Sequence, residues 1–267
     1  MVLKGVLVMK RKVFNLGLGL LSCFIFFSCL EDGADIYVSY GVIKNVSSSN
    51  NYEIITDKGN TLVVTRSNAS QDIENDKRVL VNFEILSDKD KSKNLYEIKV
   101  NGFYNLLSKP LINESFILQD EEVRRDSIGD DPYNAISARF GGDYINIDFE
   151  IFHSQRQDNS HLINLVYDDT RVDADTIYIR LYHNAFDEIP EKGLNLYRGY
   201  GRCSYKISEL LPQDVNSKAV QLTWTEYDRD MKPVERSRTG VFKKGEMTDS
   251  ERNFTRATGI DSFVNTR

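Results

Sequence analysis

Cys29 carries the most definite chemistry in this 267-residue chain. It follows Ser28 at the end of an uncharged apolar run, Val13 to Phe27, and that run is preceded by Lys10-Arg11-Lys12. A positive cluster, an apolar stretch and a small residue at the cut form a secretory signal. A cysteine directly after the cut adds a thiol acceptor for lipid. Residues 1–28 therefore read as a lipoprotein signal peptide, Cys29 as the acylated first residue of the mature chain, and 29–35 as an acidic tether with Glu31, Asp32 and Asp35. The apolar run is shorter than the roughly 20 residues needed to cross a bilayer. Its C-terminal flank is acidic rather than basic, which also argues against a transmembrane anchor. Cys23 is a second acylation candidate, but cleavage there would leave Phe24 to Phe27 unburied at the head of the mature protein. Met9 opens a better signal than Met1 and is an alternative start.

The remaining reactive side chains are scattered. His153 and His161 bracket an expected hairpin and could approach across it, yet a metal pair would need a third protein ligand. His183 with Asn184 falls where a strand meets a loop, so both are expected to hydrogen-bond backbone there. Asp168, Asp169, Asp173 and Asp175 form an oxygen-rich knot. It lacks the spacing and turn glycine of an EF-hand, and a solvated turn is expected instead. Once Cys23 leaves with the signal and Cys29 takes lipid, Cys203 is the sole thiol; no internal disulfide or cysteine-rich zinc site can form. Cys203 is expected to be a buried strand residue. There is no nucleophile elbow, P-loop or His-Glu-x-x-His pattern. No catalytic residue, metal site or cofactor is therefore expected. Tyr197 and Tyr200, around Arg198-Gly199, are the surface candidates for protein or glycan contact, whereas Trp224 is expected in a core.

The chain is acidic, with 34 Lys and Arg against 40 Asp and Glu, net −6. The signal removes Lys4, Lys10, Arg11 and Lys12 and no acid, so the mature protein is more acidic still. Nucleic-acid binding depends on basic residues that neutralise phosphates, and this balance excludes it as a partner class. Contact with a membrane is expected only through the lipid.

The elements around these residues read as strands. Ile36 to Lys44 alternates, with Ile36, Val38, Tyr40 and Val42 on one face. Asn51 to Thr56 and Thr61 to Arg66 flank Asp57-Lys58-Gly59-Asn60, a hairpin signature. Arg78 to Leu86 places Val79, Val81, Phe83 and Ile85 on one face, and Leu95 to Leu107 supplies the fifth strand, interrupted at Asn101-Gly102. Seven more follow: Ile136 to Phe140, Tyr144 to Phe152, His161 to Tyr167, Thr176 to His183, Gly199 to Ile207, Ala219 to Tyr227 and Val234 to Lys243. Short strands at this spacing suggest a sandwich, and a five-strand meander suits an OB-type barrel. Ser208 to Pro212 reads as one helical turn stopped by proline. The expected plan is all-β: an OB-like five-stranded barrel over 36–112, a charged, loop-like linker over 113–132, a seven-stranded β-sandwich over 133–244, and a disordered tail over 245–267.

Tyr40-Gly41-Val42-Ile43-Lys44-Asn45, Thr56-Asp57-Lys58-Gly59-Asn60-Thr61-Leu62, Arg78-Val79-Leu80-Val81-Asn82-Phe83 and Tyr96 to Val100 resemble, in this order, the NigD-like lipoproteins of Bacteroidetes. Ile179-Arg180-Leu181-Tyr182-His183-Asn184-Ala185 and Gly201 to Ser208 resemble that family's second domain. The resemblance covers essentially the mature chain. It implies an N-terminal OB-like domain and a C-terminal β-sandwich on a lipid anchor in the outer membrane, facing the surface or the periplasm. It implies no defined activity. A non-enzymatic partner-binding role, a bacteriocin-immunity role and, with less support, a hydrolase of a glycan-utilisation system are the functions it leaves open.

Overall fold

The first five strands close into a barrel. A computed structural model describes residues 35–69, 72–154, 161–171, 175–190, 193, 195–245 and 255–256. Strands β1 (Ile36–Ser48), β2 (Asn51–Thr56), β3 (Thr61–Ser67), β4 (Arg78–Asp90) and β5 (Leu95–Asn105) pair in the order β1-β2-β3-β5-β4, and β4 returns to β1. This circuit, with β3 and β5 parallel, is the OB topology. β1 serves both ends of the circuit, pairing with β4 through 36–42 and with β2 from Gly41 onward. Gly41 sits at that corner, where a Cβ would lie 2.6 Å from Ile54 Cγ2 and 2.9 Å from Ile55 O, so only glycine lets the strands approach.

Alternation along each strand fills the barrel. Val79, Val81 and Phe83 of β4 join Ile43, Ile54, Leu62, Ile98 and Val100 in a buried core. On β1 the inward residues are Ser39, Gly41 and Ile43. The face formed by Ile36, Val38, Tyr40 and Val42 is turned outward, and Tyr40 uses it to meet the second domain.

Where a charged, loop-like linker was expected over 113–132, the chain forms β6 (Ile112–Asn113), α1 (Glu114–Ile117), a 3-10 turn and α2 (Glu121–Ile128). Ile117 and Ile128 are buried with Val166 and Tyr182. The helices are thus seated on the sandwich by apolar contact. Asp169, from the acidic knot, accepts hydrogen bonds from the N–H (2.8 Å) and hydroxyl (2.5 Å) of Ser115 at the start of α1. Gly129 ends α2 at φ 66°, ψ 179°, and a Cβ there would lie 2.7 Å from His183 O. That region is essentially restricted to glycine, at a cost of about 1–3 kcal/mol for other residues. Gly129→Ala should lower stability by at least that amount in urea unfolding; an unchanged midpoint would show that α2 is not held in this pose.

The sandwich consists of β7 (Ala135–Gly141), β8 (Tyr144–His153), β9 (Leu162–Tyr167), β10 (Thr176–Asn184), β11 (Tyr197–Lys206), β12 (Ser217–Tyr227) and β13 (Pro233–Lys243). They form one sheet in the order β13-β12-β10-β9-β6 and another in the order β11-β8-β7. The chain leaves the larger sheet after β10, runs β11 in the smaller one and returns as β12. That excursion makes β10 and β12 parallel neighbours. The core between the sheets includes Tyr133, Ile147, Phe149, Leu165, Ile179, Leu181, Tyr205, Leu222, Phe242 and, as expected, Trp224 and Cys203. Burial pushes the Cys203 thiol far above its ordinary range, so it stays protonated and unreactive. Of the expected tail, Thr255–Arg256 form β14 on β1, opposite Tyr37 and Val38; residues 246–254 and 257–267 lie outside the described residues.

A buried ion pair joins the two domains. Arg78 of β4 gives Nη1 and Nη2 to the two carboxylate oxygens of Asp57 in the β2–β3 turn. Its Nε donates to Ser204 Oγ (2.8 Å), its Nη2 also to Asn146 Oδ1 (2.9 Å), and its guanidinium lies 3.9 Å from the centre of the Tyr144 ring. Asn146 Nδ2 returns a bond to Asp57 (3.1 Å), so every member is satisfied. The side chains of Arg78 and Asp57 are 2% and 5% exposed.

Candidate binding surface and the buried histidine pair

Strand alternation sends Ile177, Ile179, Leu181 and His183 of β10 inward and Tyr178, Arg180, Tyr182 and Asn184 to the outer face of the sheet. There α1 and α2 stand on one side and β13 on the other, leaving a trough along β10. Its larger lobe, about 1030 Å³, runs from Arg125, Asp126 and Asp130 past Arg180 and Tyr182 to Leu162, Asn184, Phe186 and Asp187. A smaller lobe of about 250 Å³ shares Arg180 and Tyr182 and extends to Glu114, Asp168, Arg171, Tyr178 and Glu235.

Its polar groups are ordered by one another. Arg180 donates to Asp130 (2.8 Å), Glu235 (2.6 Å) and Thr225 Oγ1 (2.9 Å). Arg125 bonds Glu114 and the Tyr182 hydroxyl (2.6 Å). Burial raises the Asp130 carboxyl, with Arg180 opposing the shift, and burial likewise raises the Tyr182 phenol against Arg125 and Arg180. The loop after β10 is equally defined: Asn184 Oδ1 accepts the Phe186 N–H (2.9 Å), and Asn184 Nδ2 donates to the carbonyls of Asp126 and Ser127. Phe186 and Asp187 both take positive φ, 48° and 71°. Phe186 is 45% exposed there.

Beneath this loop the histidines pair differently from the expectation. His161 lies against His183, not His153: His161 Nδ1 is 2.8 Å from His183 Nε2, and His161 Nε2 is 3.2 Å from Glu188 Oε2. The hairpin loop 155–160 lies outside the described residues, and His153 instead turns its Nδ1 to Ser154 O. Glu188 also accepts the N–H and hydroxyl of Ser154. Glu188 and the two imidazoles thus form one hydrogen-bonded chain, with the backbone of Asp131 and Pro132 against His183 at its inner end. Burial first, then the neighbouring His161, hold His183 down to about 3. The expectation that His183 bonds exposed backbone fails because β10 continues through Asn184 and turns His183 into the interior, 2% exposed. Asn184 takes that role at the exposed edge. The Ser154 hydroxyl donates to the Glu188 carboxylate.

Of the two tyrosines proposed for contact, Tyr200 is 77% exposed and Tyr197 48%. Three residues apart on β11, they fall on opposite faces; Tyr197 lies near the His153 ring and Tyr200 beside Glu150. The structure does not bring them together. Cys29 and Asp173 lie outside the described residues. No helix among the described residues is long and apolar enough to cross a membrane. The trough was missed because its floor residues, at alternate positions of β10, read simply as the polar face of a strand.

An OB barrel locked to a two-sheet sandwich by a buried ion pair, with a trough on the sandwich's outer face, defines a two-domain all-β module. The family model of the NigD-like N-terminal OB domain matches residues 40–106, and that of the NigD-like C-terminal beta sandwich domain matches 115–237. The chain belongs to the NigD-like family. The second match takes in α1 and α2, in line with their seating on the sandwich. No curated protein matches the chain. Among solved structures, a protein described as toxin related from Parabacteroides distasonis is 24% identical, with 78% of this chain and 94% of that chain covered and a TM-score of 0.58. A NigD-like immunity protein from Bacteroides caccae is 18% identical, covering 76% and 92%, TM-score 0.58. A protein described as a lipoprotein from Bacteroides fragilis is 10% identical, covering 79% and 100%, TM-score 0.52. At these identities the likeness is one of fold.

Proposed function

We propose that this chain is a lipid-anchored protein of the outer membrane that holds a protein or glycan partner in the trough along β10 and does no chemistry on it. The trough carries the reading: it is a concave surface whose aromatic and charged side chains hold one another in place. The anchor rests on the signal at Lys10 to Cys29. Bacteriocin immunity is a special case, in keeping with fold likeness to a protein described as a NigD-like immunity protein.

Two measurements test this. Cys29→Ser should abolish incorporation of labelled palmitate and recovery in the membrane fraction, while Cys23→Ser should leave both intact; palmitate entering Cys29→Ser protein would refute the anchor. Hydroxyl-radical labelling of Phe186 should be weaker in the intact envelope than in the purified protein. Equal labelling in both would mean that the trough is unoccupied.

A further inference from the structure

β1 has two edges, and β2 covers only part of one. The Tyr40 carbonyl accepts the Asp57 N–H (3.1 Å) on the β2 side, and the Ile43 N–H donates to Lys77 O (2.9 Å) on the β4 side. Successive residues of a strand direct their backbone groups to opposite edges. Val38 therefore turns its groups away from β4, as Tyr40 does, while Tyr37 and Ser39 turn theirs toward it. Pairing with β2 starts at Gly41, opposite Thr56, and leaves Ile36 to Ser39 beyond its reach. There β14 lies antiparallel, with Thr255 opposite Val38 and Arg256 opposite Tyr37. Two positions of β1 pair with β14, against seven with β4.

The composition of this edge calls for a cover. An open strand edge invites pairing with another chain, and proteins blunt it with charge, proline or a covering segment. β13, the outermost strand of the larger sheet, starts at Pro233 and carries Glu235, Arg236, Arg238 and Lys243. Ile36-Tyr37-Val38-Ser39 holds no charge and no proline, and three of its four residues are strand-forming aliphatic or aromatic types. What covers it is β14. The same chain can supply that cover. Phe242, near the end of β13, packs on Phe140 (5.8 Å between ring centres), Gly141 and Gly142 rest on Asp57, and Asp57 bonds Tyr40. The end of β13 is thus linked by contacts to β1, and the nine residues between Gly245 and Thr255 span up to about 35 Å.

We propose that Ile36 to Ser39 is a strand-accepting site for an extended polypeptide segment, and that β14 closes it in cis as a displaceable strap. Added strands are held by main-chain bonds, so the ligand class is an extended peptide of β-forming residues. With two paired positions, the strap opens at a small fraction of the free energy of global unfolding. β1 itself stays held by β4 when it does. No residue of β1 lines the trough, so this site stands apart from the partner-holding reading above.

Hydrogen exchange read residue by residue on the full mature protein in detergent tests this. The amides of Tyr37 and Ser39 should be protected by β4, and that of Val38 by β14. Thr255→Pro with Arg256→Pro removes the strap's backbone donors. It should speed exchange at Val38 by at least about tenfold while Tyr37 and Ser39 stay slow. A labelled peptide of residues 250–260 should bind this double variant and restore slow exchange at Val38. It should bind the wild type at least about tenfold more weakly, because the tethered strap competes at high effective concentration. The same peptide carrying both prolines should bind neither protein. Unchanged exchange at Val38 in the double variant, or equal peptide binding by the two proteins, would overturn the strap. Failure of the peptide to bind the double variant would overturn the strand-accepting site.

Discussion

Arg78→Met should lower stability by about 3–5 kcal/mol, the usual cost of leaving one member of a buried ion pair uncompensated. Asp57 would keep Asn146 Nδ2 but lose both guanidinium bonds in a site where its side chain is 5% exposed. The effect should reach beyond the barrel. Asn146 and Ser204 belong to β8 and β11 of the sandwich and each loses a bond to the same guanidinium, while Gly141 and Gly142 of the β7–β8 turn pack directly on Asp57. For a chain of this size about 3–5 kcal/mol corresponds to a drop of roughly 10 °C in Tm. Adding Asp57→Leu to Arg78→Met should recover much of the loss, because replacing both charges removes the uncompensated one. Urea unfolding of the two single variants and the double variant closes the cycle. A change below about 1 kcal/mol in Arg78→Met would show that water reaches Asp57 and that the two domains are not joined through this pair.

Acid should destabilise the protein through His183. Its folded-state value is about 3, depressed by burial and by His161, against about 6.5 in the unfolded chain. Between these values the unfolded state binds a proton that the folded state does not. Stability is therefore fully present above pH 6.5 and falls as pH drops toward 3, by up to about 1.4 kcal/mol per pH unit. From pH 7.5 to 4.5 this one group should remove about 2–3 kcal/mol. Glu188 acts in the same direction at lower pH. Burial tends to raise its carboxyl, but the Ser154 bonds and His161 prevail and the value is lowered, so its contribution disappears as pH falls through that depressed value. His183→Gln removes the titrating group. Its stability should be lower at pH 7.5 but should fall less steeply toward pH 4.5, by about 2–3 kcal/mol over the interval. Parallel curves for the two proteins would exclude His183 as the source.

The strand pattern was legible because alternation is local. Val79, Val81 and Phe83 announce a half-buried strand whatever they pack against, and all of them reach the barrel core. Alternation does not, however, say which face is inward: on β1 the more apolar face, Ile36 to Val42, lies outside the barrel, and the face with Ser39 and Gly41 lies inside. The helices were hidden for a related reason. In α2 only Ile128 is buried, so there is no apolar stripe to detect. Its end signals were nevertheless present: Glu121 and Glu122 in the first turn, Arg125 in the last, Gly129 just beyond.

By itself, the sequence determined the all-β class and the order of barrel and sandwich, since each rests on residues adjacent in the chain or repeating at a fixed period. Only the tertiary structure decided the contacts between distant residues. The Arg78–Asp57–Asn146–Ser204 junction joins four strand or turn positions up to 147 residues apart. The His161–His183–Glu188 chain and the trough beneath α2 exist only once β9, β10 and the following loop lie side by side. Pairing partners across a sheet are chosen by topology and by competition among many similar strands. No local periodicity encodes that choice.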